Sequence, residues 1–370
     1  MVLNSDTPKM MNFDPLHYLT SDQTKQALLL IKNKYQFDLI SITQLGKPIT
    51  LEFYKQWLNQ KLNADMDYLA AHLTFKEHPQ KINSLVKSAI TVAFHYFPTP
   101  EKLDLDVPAR IALYAKNQDY HIWLKNKLIS SIEDLKAIYP NEVFIPFVDS
   151  GPVHERDLAY KSGLGWFGKN TCMIHPKQGS LLFLAEILTS IEAQDEIPLQ
   201  HDLCGACTKC IEICPTQALT PNKVLNANLC ISYLTIESKS VPPIELRNKI
   251  GDWFFGCDLC QTVCPWNQKK LKLHPEPTIS NEHILHLSEN QTNKLEAFLK
   301  NTLISSNKQL QKKYWGTALS RAGGFGLKKN ALIVIANRKL TKLLPEVEKY
   351  IQHPKLGELA KWTLQQLVLN

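Results

Sequence analysis

The segment Cys204-Gly-Ala-Cys-Thr-Lys-Cys-Ile-Glu-Ile-Cys-Pro215 is the most informative stretch of this chain. Its spacing, C-x2-C-x2-C-x3-C-P, is a known arrangement of ligands to iron–sulfur clusters. The first three cysteines bind one [4Fe-4S] cluster on a tight loop, whereas the fourth cysteine binds a different cluster. The segment therefore predicts a second set of cysteines elsewhere in the chain.

A second group of cysteines follows. The segment Cys257-Asp-Leu-Cys-Gln-Thr-Val-Cys-Pro265 repeats the end of the first motif, and Cys230 supplies the cysteine that this shorter motif lacks. Exchange of the fourth ligands between the two motifs predicts two [4Fe-4S] clusters. The first has the ligands Cys204, Cys207, Cys210 and Cys264, and the second has the ligands Cys214, Cys230, Cys257 and Cys260.

Zinc sites and disulfides are the alternatives for these cysteines. Zinc ribbons also contain C-x2-C pairs, but zinc would leave the third cysteine and the proline of the first motif without a role. Disulfides are disfavoured because the chain is long and eight of its nine cysteines fall within 61 consecutive residues. The ninth, Cys172, is expected to be a small buried side chain.

Length and composition set the broad class. The chain has 370 residues, more than one hydrophobic core usually serves, so we expect two or three domains. Hydrophobic residues make up 44% and charged residues 21%, which excludes collagen-like and low-complexity chains. Residues 1–10 lack a basic stretch followed by an apolar core, and no apolar run reaches the roughly 18 residues of a membrane helix. We therefore expect a soluble cytoplasmic protein with no membrane partner.

The positive charge is concentrated in the last part of the chain. Residues 271–370 contain 15 basic and 7 acidic side chains, a net charge of +8, whereas the first 270 residues contain 27 and 28, a net charge of −1. A basic end on a neutral body suggests a phosphate-rich partner such as a nucleic acid. A solvated helical surface is the alternative.

The residues before the cysteines alternate between strand and helix patterns. The runs 88–97 and 142–148 predict buried strands and 109–139 predicts long helical stretches, which together indicate an α/β N-terminal part. The motif Gly163-Leu-Gly-Trp-Phe-Gly168 matches G-x-G-x-x-G, but it follows a predicted helix over 153–160. A dinucleotide site requires a preceding strand, so we interpret Gly163 as the end of that helix.

The residues after the cysteines have a helical pattern. The segments 318–340 and 345–369 predict amphipathic helix pairs similar to HEAT repeats, with Trp315 and Trp362 in the core rather than stacked on bases. The predicted domains are an α/β domain at 1–198, a ferredoxin-like domain at 199–270 and a helical HEAT-like region at 271–370.

Asp149 is the candidate catalytic acid. It lies where the apolar run 143–148 passes into the turn sequence Asp-Ser-Gly-Pro. In α/β sheets such positions face the ligand crevice. Apolar neighbours and a bulky cofactor would favour the neutral carboxyl, which could donate a proton near neutral pH. A carboxylate that only caps the turn is the alternative.

Several motifs in a fixed order resemble one enzyme family. They are Val148-Asp-Ser-Gly-Pro-Val-His-Glu-Arg-Asp-Leu-Ala159, Gly163-Leu-Gly-Trp-Phe-Gly-Lys-Asn-Thr171, Gly179-Ser180, Glu186-Ile-Leu-Thr189, the first cysteine motif, Cys230-Ile-Ser-Tyr-Leu-Thr-Ile-Glu237 and Gly256-Cys-Asp-Leu-Cys-Gln261. Together they resemble the epoxyqueuosine reductases over roughly residues 40–370. The segment 63–69 departs from the family in lacking a glycine, Lys76 stands near an expected arginine, and 112–114 varies the usual run before Asp119-Tyr-His121.

The resemblance implies a cofactor, a substrate and site residues. Members of the family bind cobalamin in an N-terminal domain related to reductive dehalogenases and reduce the epoxide of epoxyqueuosine, at the wobble base of tRNAs with GUN anticodons (Tyr, His, Asn and Asp), to the alkene of queuosine. The resemblance makes Asp149 the proton donor. It also implies that the corrin is lined by Lys76, Asp149, Met173, Leu184, Ser232 and Lys239.

The same resemblance implies a source of electrons and a tRNA-binding region. An external one-electron donor such as a flavodoxin or ferredoxin would pass single electrons through the clusters to cobalamin. The basic C-terminal region would bind the anticodon stem of the tRNA. Its candidate phosphate contacts are Lys312, Lys313, Arg321, Lys328 and Lys329. A monomer is expected.

Three other protein classes share some of these features. A reductive dehalogenase would have the same cofactors but usually carries an export signal and no basic helical tail. A simple electron-transfer ferredoxin would not need roughly 200 residues before its clusters. A zinc-containing nucleic-acid-binding protein is the non-enzymatic alternative.

Overall fold

The computed structural model describes residues 14–19, 21–97, 107–193, 197–274 and 280–368. Two sequence predictions involve residues outside these ranges. One concerns residues 1–10, which lack a basic stretch followed by an apolar core, and the other is the helical segment that extends to Leu369. The α-helices are α1 (Asp22–Tyr35), α2 (Leu51–Asn59), α3 (Tyr68–Ala71), α4 (Leu73–Glu77), α5 (Tyr120–Ile138), α6 (Glu155–Lys161), α7 (Lys209–Glu212), α8 (Ile231–Ile236), α9 (Ile244–Arg247), α10 (Leu259–Thr262), α11 (Pro265–Leu273), α12 (Glu289–Ile304), α13 (Asn307–Lys313), α14 (Gly323–Asn337), α15 (Leu344–Glu348) and α16 (Gly357–Val368). The β-strands are β1 (Leu39–Gln44), β2 (Ser88–His95), β3 (Arg110–Ile111), β4 (Phe144–Phe147), β5 (Trp166–Phe167), β6 (Met173–Ile174), β7 (Leu182–Thr189) and β8 (Trp253–Phe255).

The N-terminal part is built on a sheet with the strand order β1-β2-β7-β4. The central strands β2 and β7 are buried along most of their length, which explains their nearly continuous apolar sequence. Helices α1 and α5 cover one face of the sheet and α6 covers the other. The strands predicted at 88–97 and 142–148 are therefore present, with helices on both faces of their sheet.

The direction of the strands corrects one argument from the sequence. Each neighbouring pair in this sheet is antiparallel. The rule that ligands bind at the carboxyl ends of strands applies to parallel sheets, so it does not place Asp149. The position of Asp149 follows instead from β4, which lies at the edge of the sheet and ends two residues earlier.

The segment 109–139 is less helical than its pattern predicts. Helix α5 begins only at Tyr120, because the Asp119 side chain accepts a hydrogen bond from the backbone N–H of His121 and caps the helix there. Before it, β3 pairs in parallel with β8, which lies next to the second cysteine motif. The Arg110 guanidinium is buried, 3.1 Å from Asp252, and it stacks on Trp253. These contacts fix the N-terminal part against the cysteine-rich part.

The C-terminal helices depart from the predicted amphipathic pairs. Helix α14 is buried over most of its length between α12, α13, α16 and β8, so it is a central helix without a solvated face. Trp362 on α16 is buried as predicted, but the prediction for Trp315 was wrong because 78% of its surface is exposed. Trp315 follows the end of α13 and precedes Gly316, whose φ of 76° turns the chain, so it lies on no packed helical face.

The glycine-rich motif at 163–168 follows a helix, as its sequence context predicts. Helix α6 precedes it, and Gly163 has a φ of 72° just beyond the helix end. No helix among the residues described above combines the length and the apolar character needed to cross a membrane.

Replacement of Ala64 by glycine is expected to stabilise the protein. Ala64 has a φ of 54°, in the left-handed region that favours glycine, within the segment 63–69. This backbone costs a residue with a side chain about 1–2 kcal/mol, of which the greater freedom of glycine in the unfolded chain offsets about 0.5–1 kcal/mol. We expect Ala64→Gly to raise the free energy of unfolding by about 0.5–1 kcal/mol in denaturant titrations. The control Ala70→Gly, in α3, should lower it, and equal losses in both variants would contradict the prediction.

Candidate active site and cluster-binding cysteines

The first predicted set of cysteines lies around one pocket. Cys204, Cys207, Cys210 and Cys264 line a space of about 210 Å³. Lys169 fixes one wall, because its Nζ donates hydrogen bonds to the carbonyl oxygens of Gly205 and Cys207 at 2.7 and 3.0 Å. The structure therefore brings Cys264, from the second motif, to the first three cysteines of the first motif.

The second predicted set is also brought together. The Cys230 thiol lies within electrostatic range of Cys214, and Cys257 and Cys260 lie within range of Cys230. Burial raises the pKa of Cys257 and Cys260 well above that of an ordinary thiol. Buried thiols ionise only beside a strong positive charge, which bound iron supplies, so this donor set fits a metal cluster.

The two motifs adopt matching local structures. Each forms a loop that leads into a one-turn helix, α7 or α10, and the two helices pack against each other. Cys214 and Cys264 follow these helices, which directs each away from the preceding cysteines of its own motif. Among the described residues, no three His, Cys, Asp or Glu side chains converge closely enough to hold a single metal ion. A four-iron cube is larger than one ion and needs more widely spaced cysteines.

Cys172 lies between the two sets, a position that its sequence does not reveal. Its side chain is half-buried rather than buried as predicted, and burial raises the pKa of its thiol to about 12. It is within electrostatic range of Cys210 and Cys264 in the first set and of Cys260 in the second. Sequence spacing could not show this, because Cys172 belongs to neither cysteine motif.

Asp149 is part of a three-residue network. Its carboxylate Oδ2 is 3.0 Å from Nε2 of His121, and Nδ1 of His121 is 2.7 Å from Oδ1 of Asp119. Asp149 itself has a φ of 53°, which turns the chain sharply after β4. Aspartate tolerates this left-handed backbone better than most residues.

The electrostatics of this network correct the expectation of a neutral Asp149. Although burial raises the pKa of Asp149, hydrogen bonds from His121 and Tyr120 hold it below its ordinary value. Burial lowers the pKa of His121, but hydrogen bonds to Asp119 and Asp149 raise it to about 9. The pair therefore holds one proton near neutral pH, and that proton lies on His121. The sequence did not reveal this role for His121, because the Asp119-Tyr-His121 run carries no sign of its contact with Asp149.

Asp149 lies in a cleft to which three parts of the chain contribute. Its side chain is 52% exposed, although protein surrounds it on most sides. Tyr114 and Tyr120 adjoin it from the N-terminal part. Arg321 adjoins it from the C-terminal part and donates two hydrogen bonds to the Glu237 carboxylate, at 2.5 and 3.2 Å. The carboxylate of Asp149 is therefore partly accessible from outside the protein.

The predicted corrin-lining residues other than Asp149 lie in three places. Leu184 and Met173 lie in one small apolar cluster, in which Met173 is buried and Leu184 is partly open. Lys76 is buried within electrostatic range of Asp149, and its Nζ donates a hydrogen bond to the Val153 carbonyl at 3.1 Å. Ser232 follows a cysteine on α8, and Lys239 is exposed. Over the described ranges, neither of these two side chains forms a hydrogen bond or ion pair with Asp149.

The candidate phosphate contacts differ in accessibility. Lys312 and Lys313 are exposed on α13 beside Trp315. The prediction for Lys329 was wrong, because this residue is fully buried and its Nζ donates hydrogen bonds to the carbonyls of Leu234 and Ser238 at 2.7 and 2.8 Å. Arg321 is held by Glu237, which reduces its availability to a phosphate.

Comparisons with known proteins identify relatives that match most of the chain. The family model described as "4Fe-4S double cluster binding domain" matches residues 203–267. The model described as "Epoxyqueuosine reductase QueG, DUF1730" matches residues 76–150. The epoxyqueuosine reductase of Leadbetterella byssophila is 40% identical over 230 residues, 62% of this chain and 75% of that protein. The epoxyqueuosine reductase of Escherichia coli is 31% identical over 338 residues, 90% of this chain and 86% of that protein.

Solved structures extend the similarity to the fold. A crystal structure of an epoxyqueuosine reductase with an epoxyqueuosine-modified tRNA(Tyr) stem loop has a TM-score of 0.75 and 28% identity, and it covers 93% of this chain and 90% of that chain. The Bacillus subtilis epoxyqueuosine reductase, in a structure with its catalytic loop swung out of the active site, matches with the same TM-score and coverage. These similarities extend over far more of the chain than the cysteine motifs. The chain belongs to the epoxyqueuosine reductase family.

Proposed function

We propose that this chain reduces the epoxide of epoxyqueuosine in tRNA to the alkene of queuosine. The observation that carries the proposal is the combination, in a chain of this family, of the Asp149–His121 pair in an open cleft with two sets of four cysteines in the same structure. Reduction of an epoxide needs protons at the oxygen and electrons at the carbon. The Asp149–His121 pair can supply the protons, and the two cysteine sets can bind groups that supply the electrons.

The cysteine sets are proposed as the ligands of two [4Fe-4S] clusters, and the Asp149 cleft as the site of cobalamin. Leu184 would contact the corrin with Met173 supporting it from behind, Lys76 would hold the loop of Asp149, and Ser232 and Lys239 would bind polar side arms. When bound, these groups supply single electrons and a strongly reducing cobalt. The proposed domains remain 1–198 for cobalamin, 199–270 for the clusters and 271–370 for a HEAT-like tRNA-binding region.

The residues of the chain supply the proton chemistry. His121 holds a proton beside the Asp149 carboxylate, and the hydrogen bond to Asp119 fixes the orientation of the imidazole. Asp149 accepts this proton and delivers it to the epoxide oxygen as the C–O bond breaks, because an unprotonated alkoxide is a poor leaving group. The pKa of about 9 at His121 keeps the pair loaded at neutral pH.

The anticodon loop is proposed to bind beside the mouth of this cleft. The segment that contains Trp315 joins the segment before α5 through a hydrogen bond of 2.9 Å from the Asp119 N–H to the Gly316 carbonyl. Asp119 contacts His121, so the exposed Trp315 and the lysines of α13 lie near the catalytic pair. Exposed aromatic rings bind unstacked RNA bases and lysines bind phosphates. We further propose a monomeric cytoplasmic enzyme that receives electrons from a small carrier such as a flavodoxin or ferredoxin.

Replacement of Trp315 by alanine is expected to weaken binding of a tRNA stem loop. Stacking of one base on an aromatic side chain contributes about 1–3 kcal/mol, so Kd should rise by about 5- to 150-fold. Fluorescence anisotropy with a labelled anticodon stem loop measures this change. Trp315→Phe should retain most of the affinity, and Ile304→Ala, at another exposed apolar position, should leave it unchanged. Equal affinity in Trp315→Ala would show that the anticodon loop binds elsewhere.

The reaction itself can be tested directly. Anaerobically purified protein with cobalamin and a chemical reductant is incubated with tRNA that contains epoxyqueuosine, and the nucleosides are analysed by mass. We expect the modified nucleoside to lose the mass of one oxygen atom. An unchanged nucleoside mass with fully loaded protein would overturn the proposed function.

A further inference from the structure

Two buried glutamates, Glu155 and Glu186, lie within electrostatic range of Asp149. Glu186 is in the middle of β7 and has no exposed surface. It pairs across the sheet with Thr91 on one side and with Phe147, two residues before Asp149, on the other. Strand residues advance by about 3.3 Å, so Glu186 lies within a few residue lengths of Asp149.

Glu155 connects Glu186 to the catalytic loop. It is the first residue of α6, which packs against β2 and β7, the strand that carries Glu186. The backbone N–H of Asp149 interacts with the Glu155 carboxyl, and Glu155 is in turn within electrostatic range of Glu186. Glu155 therefore lies within electrostatic range of both Asp149 and Glu186.

The surroundings of the two glutamates favour protonated carboxyl groups. Neither oxygen of Glu186 nor Oε1 of Glu155 has a hydrogen-bond partner within the described part of the chain, and these atoms are shielded from solvent. A buried carboxylate without a partner is strongly unfavourable, so such a group takes up a proton. Burial raises the pKa of Glu186, and it raises that of Glu155 to about 8.

The charged groups that face this pair do not neutralise it. Lys76 from α4 faces both glutamates, but its Nζ donates its hydrogen bond to the Val153 carbonyl. Arg156 is the other cation within range of Glu155, and Asp149 is an anion that opposes ionisation of both glutamates. The neighbouring His154 is neutral, because burial lowers its pKa to about 3.

The proposed reaction consumes more protons than the Asp149–His121 pair holds. Conversion of an epoxide to an alkene breaks two C–O bonds and takes up two electrons, from the external one-electron donor, and two protons, and it releases one water molecule. The pair described above holds one proton. The Asp149 side chain is 52% exposed, and under the proposed function the bound nucleotide would cover it and limit its access to bulk water.

We propose that Glu155 and Glu186 form a proton store that reloads Asp149 during each turnover. This inference rests on the proposed function. The first C–O bond breaks with the proton of the Asp149–His121 pair. Glu155 then passes its proton to Asp149, Glu186 reprotonates Glu155, and the second C–O bond breaks with release of water. The store is refilled from solvent after the product leaves. In this scheme both glutamates act through Asp149: they hold protons in position for transfer to it.

The test replaces each glutamate by glutamine, which has the shape of the protonated acid but cannot release a proton. In reconstituted full-length protein, we expect Glu155→Gln and Glu186→Gln to lower kcat for epoxyqueuosine reduction by at least tenfold with an unchanged KM for the stem loop. The wild-type rate should fall as the pH rises above about 8, where Glu155 loses its proton. The Glu155→Gln variant should lack that step in its profile.

Thr91→Val is the matched control, because Thr91 is the buried neighbour of Glu186 but carries no exchangeable acid. It should keep the wild-type rate, and equal rate losses in Thr91→Val would overturn the proposal in favour of a packing role. Iron content and thermal unfolding establish that each variant is folded and loaded.

Infrared spectroscopy tests the store without turnover. At neutral pH the wild-type protein should show buried carboxylic acid C=O absorption that each glutamine variant reduces. If neither variant reduces it, both glutamates are ionised and the proton store is overturned. If each glutamine variant reduces the absorption but wild-type protein leaves epoxyqueuosine unchanged, the glutamates are protonated and the proposed function has failed. The proposed role of the store in turnover is then overturned as well.

Discussion

Replacement of Asp149 by asparagine is expected to lower the rate of epoxide reduction by about 10²–10⁴-fold, the usual contribution of a positioned general acid. Asparagine cannot take the proton from His121 and pass it to the epoxide oxygen. It does tolerate the left-handed backbone that Asp149 adopts, with a φ of 53°, so the loop should keep its conformation. Single-turnover measurements with pre-reduced protein isolate this step from electron delivery.

The pH dependence of the wild-type rate gives a second check on this role. Hydrogen bonds to two carboxylates raise the pKa of His121 to about 9, so the pair is loaded at lower pH and loses its proton as the pH rises through that value. We expect the rate to fall at high pH, and Asp119→Asn should move this decrease to lower pH because it weakens one of the two hydrogen bonds. Iron and cobalamin contents should be unchanged in both variants. A fully active Asp149→Asn variant would remove Asp149 from the mechanism.

Removal of cluster cysteines is expected to abolish activity and to show which cysteines bind together. The wild-type protein should contain about eight iron atoms per chain, and loss of either cluster should leave about four. Because both clusters are needed for electron delivery, Cys257→Ala and Cys210→Ala should each reduce turnover to background. Cys172→Ser, outside both sets, should retain all the iron.

Two double variants distinguish exchanged from unexchanged ligands. If Cys264 shares a cluster with Cys210, as their common pocket suggests, the double variant Cys210→Ala and Cys264→Ala should keep about four iron atoms per chain. The double variant Cys257→Ala and Cys264→Ala should then lose nearly all its iron, although both changes fall in one motif. The opposite result would show that each motif binds its own cluster. Electron paramagnetic resonance of the reduced protein identifies the cluster type.

The family and the cysteine pattern were predictable from the sequence because their information is local. Ligands to one cluster corner lie two or three residues apart on a single loop, so their spacing survives in the sequence whatever the rest of the chain does. The same holds for the helix before Gly163, whose end requires a left-handed residue at a fixed position. Such features need no knowledge of distant contacts.

Burial and electrostatics were less predictable because they depend on residues that are distant in the sequence. The excess of basic residues at 271–370 suggested a phosphate-binding surface that included Lys329, yet Lys329 is buried and bound to carbonyls of the cysteine-rich part. Trp315 was assigned to a helical face, but the chain turns at Gly316 and leaves it exposed. In each case tertiary packing overrode a local pattern.

The sequence by itself determined the enzyme family, the cysteine ligand pattern and the position of Asp149 after a strand. Only the tertiary structure decided the charge state of Asp149, because His121 lies 28 residues earlier and reaches it across the cleft. It also decided which cysteines share a pocket and which basic residues face solvent. The physical reason is that ligand spacing is set by the covalent chain, whereas proton affinity and accessibility are set by whatever groups folding places nearby.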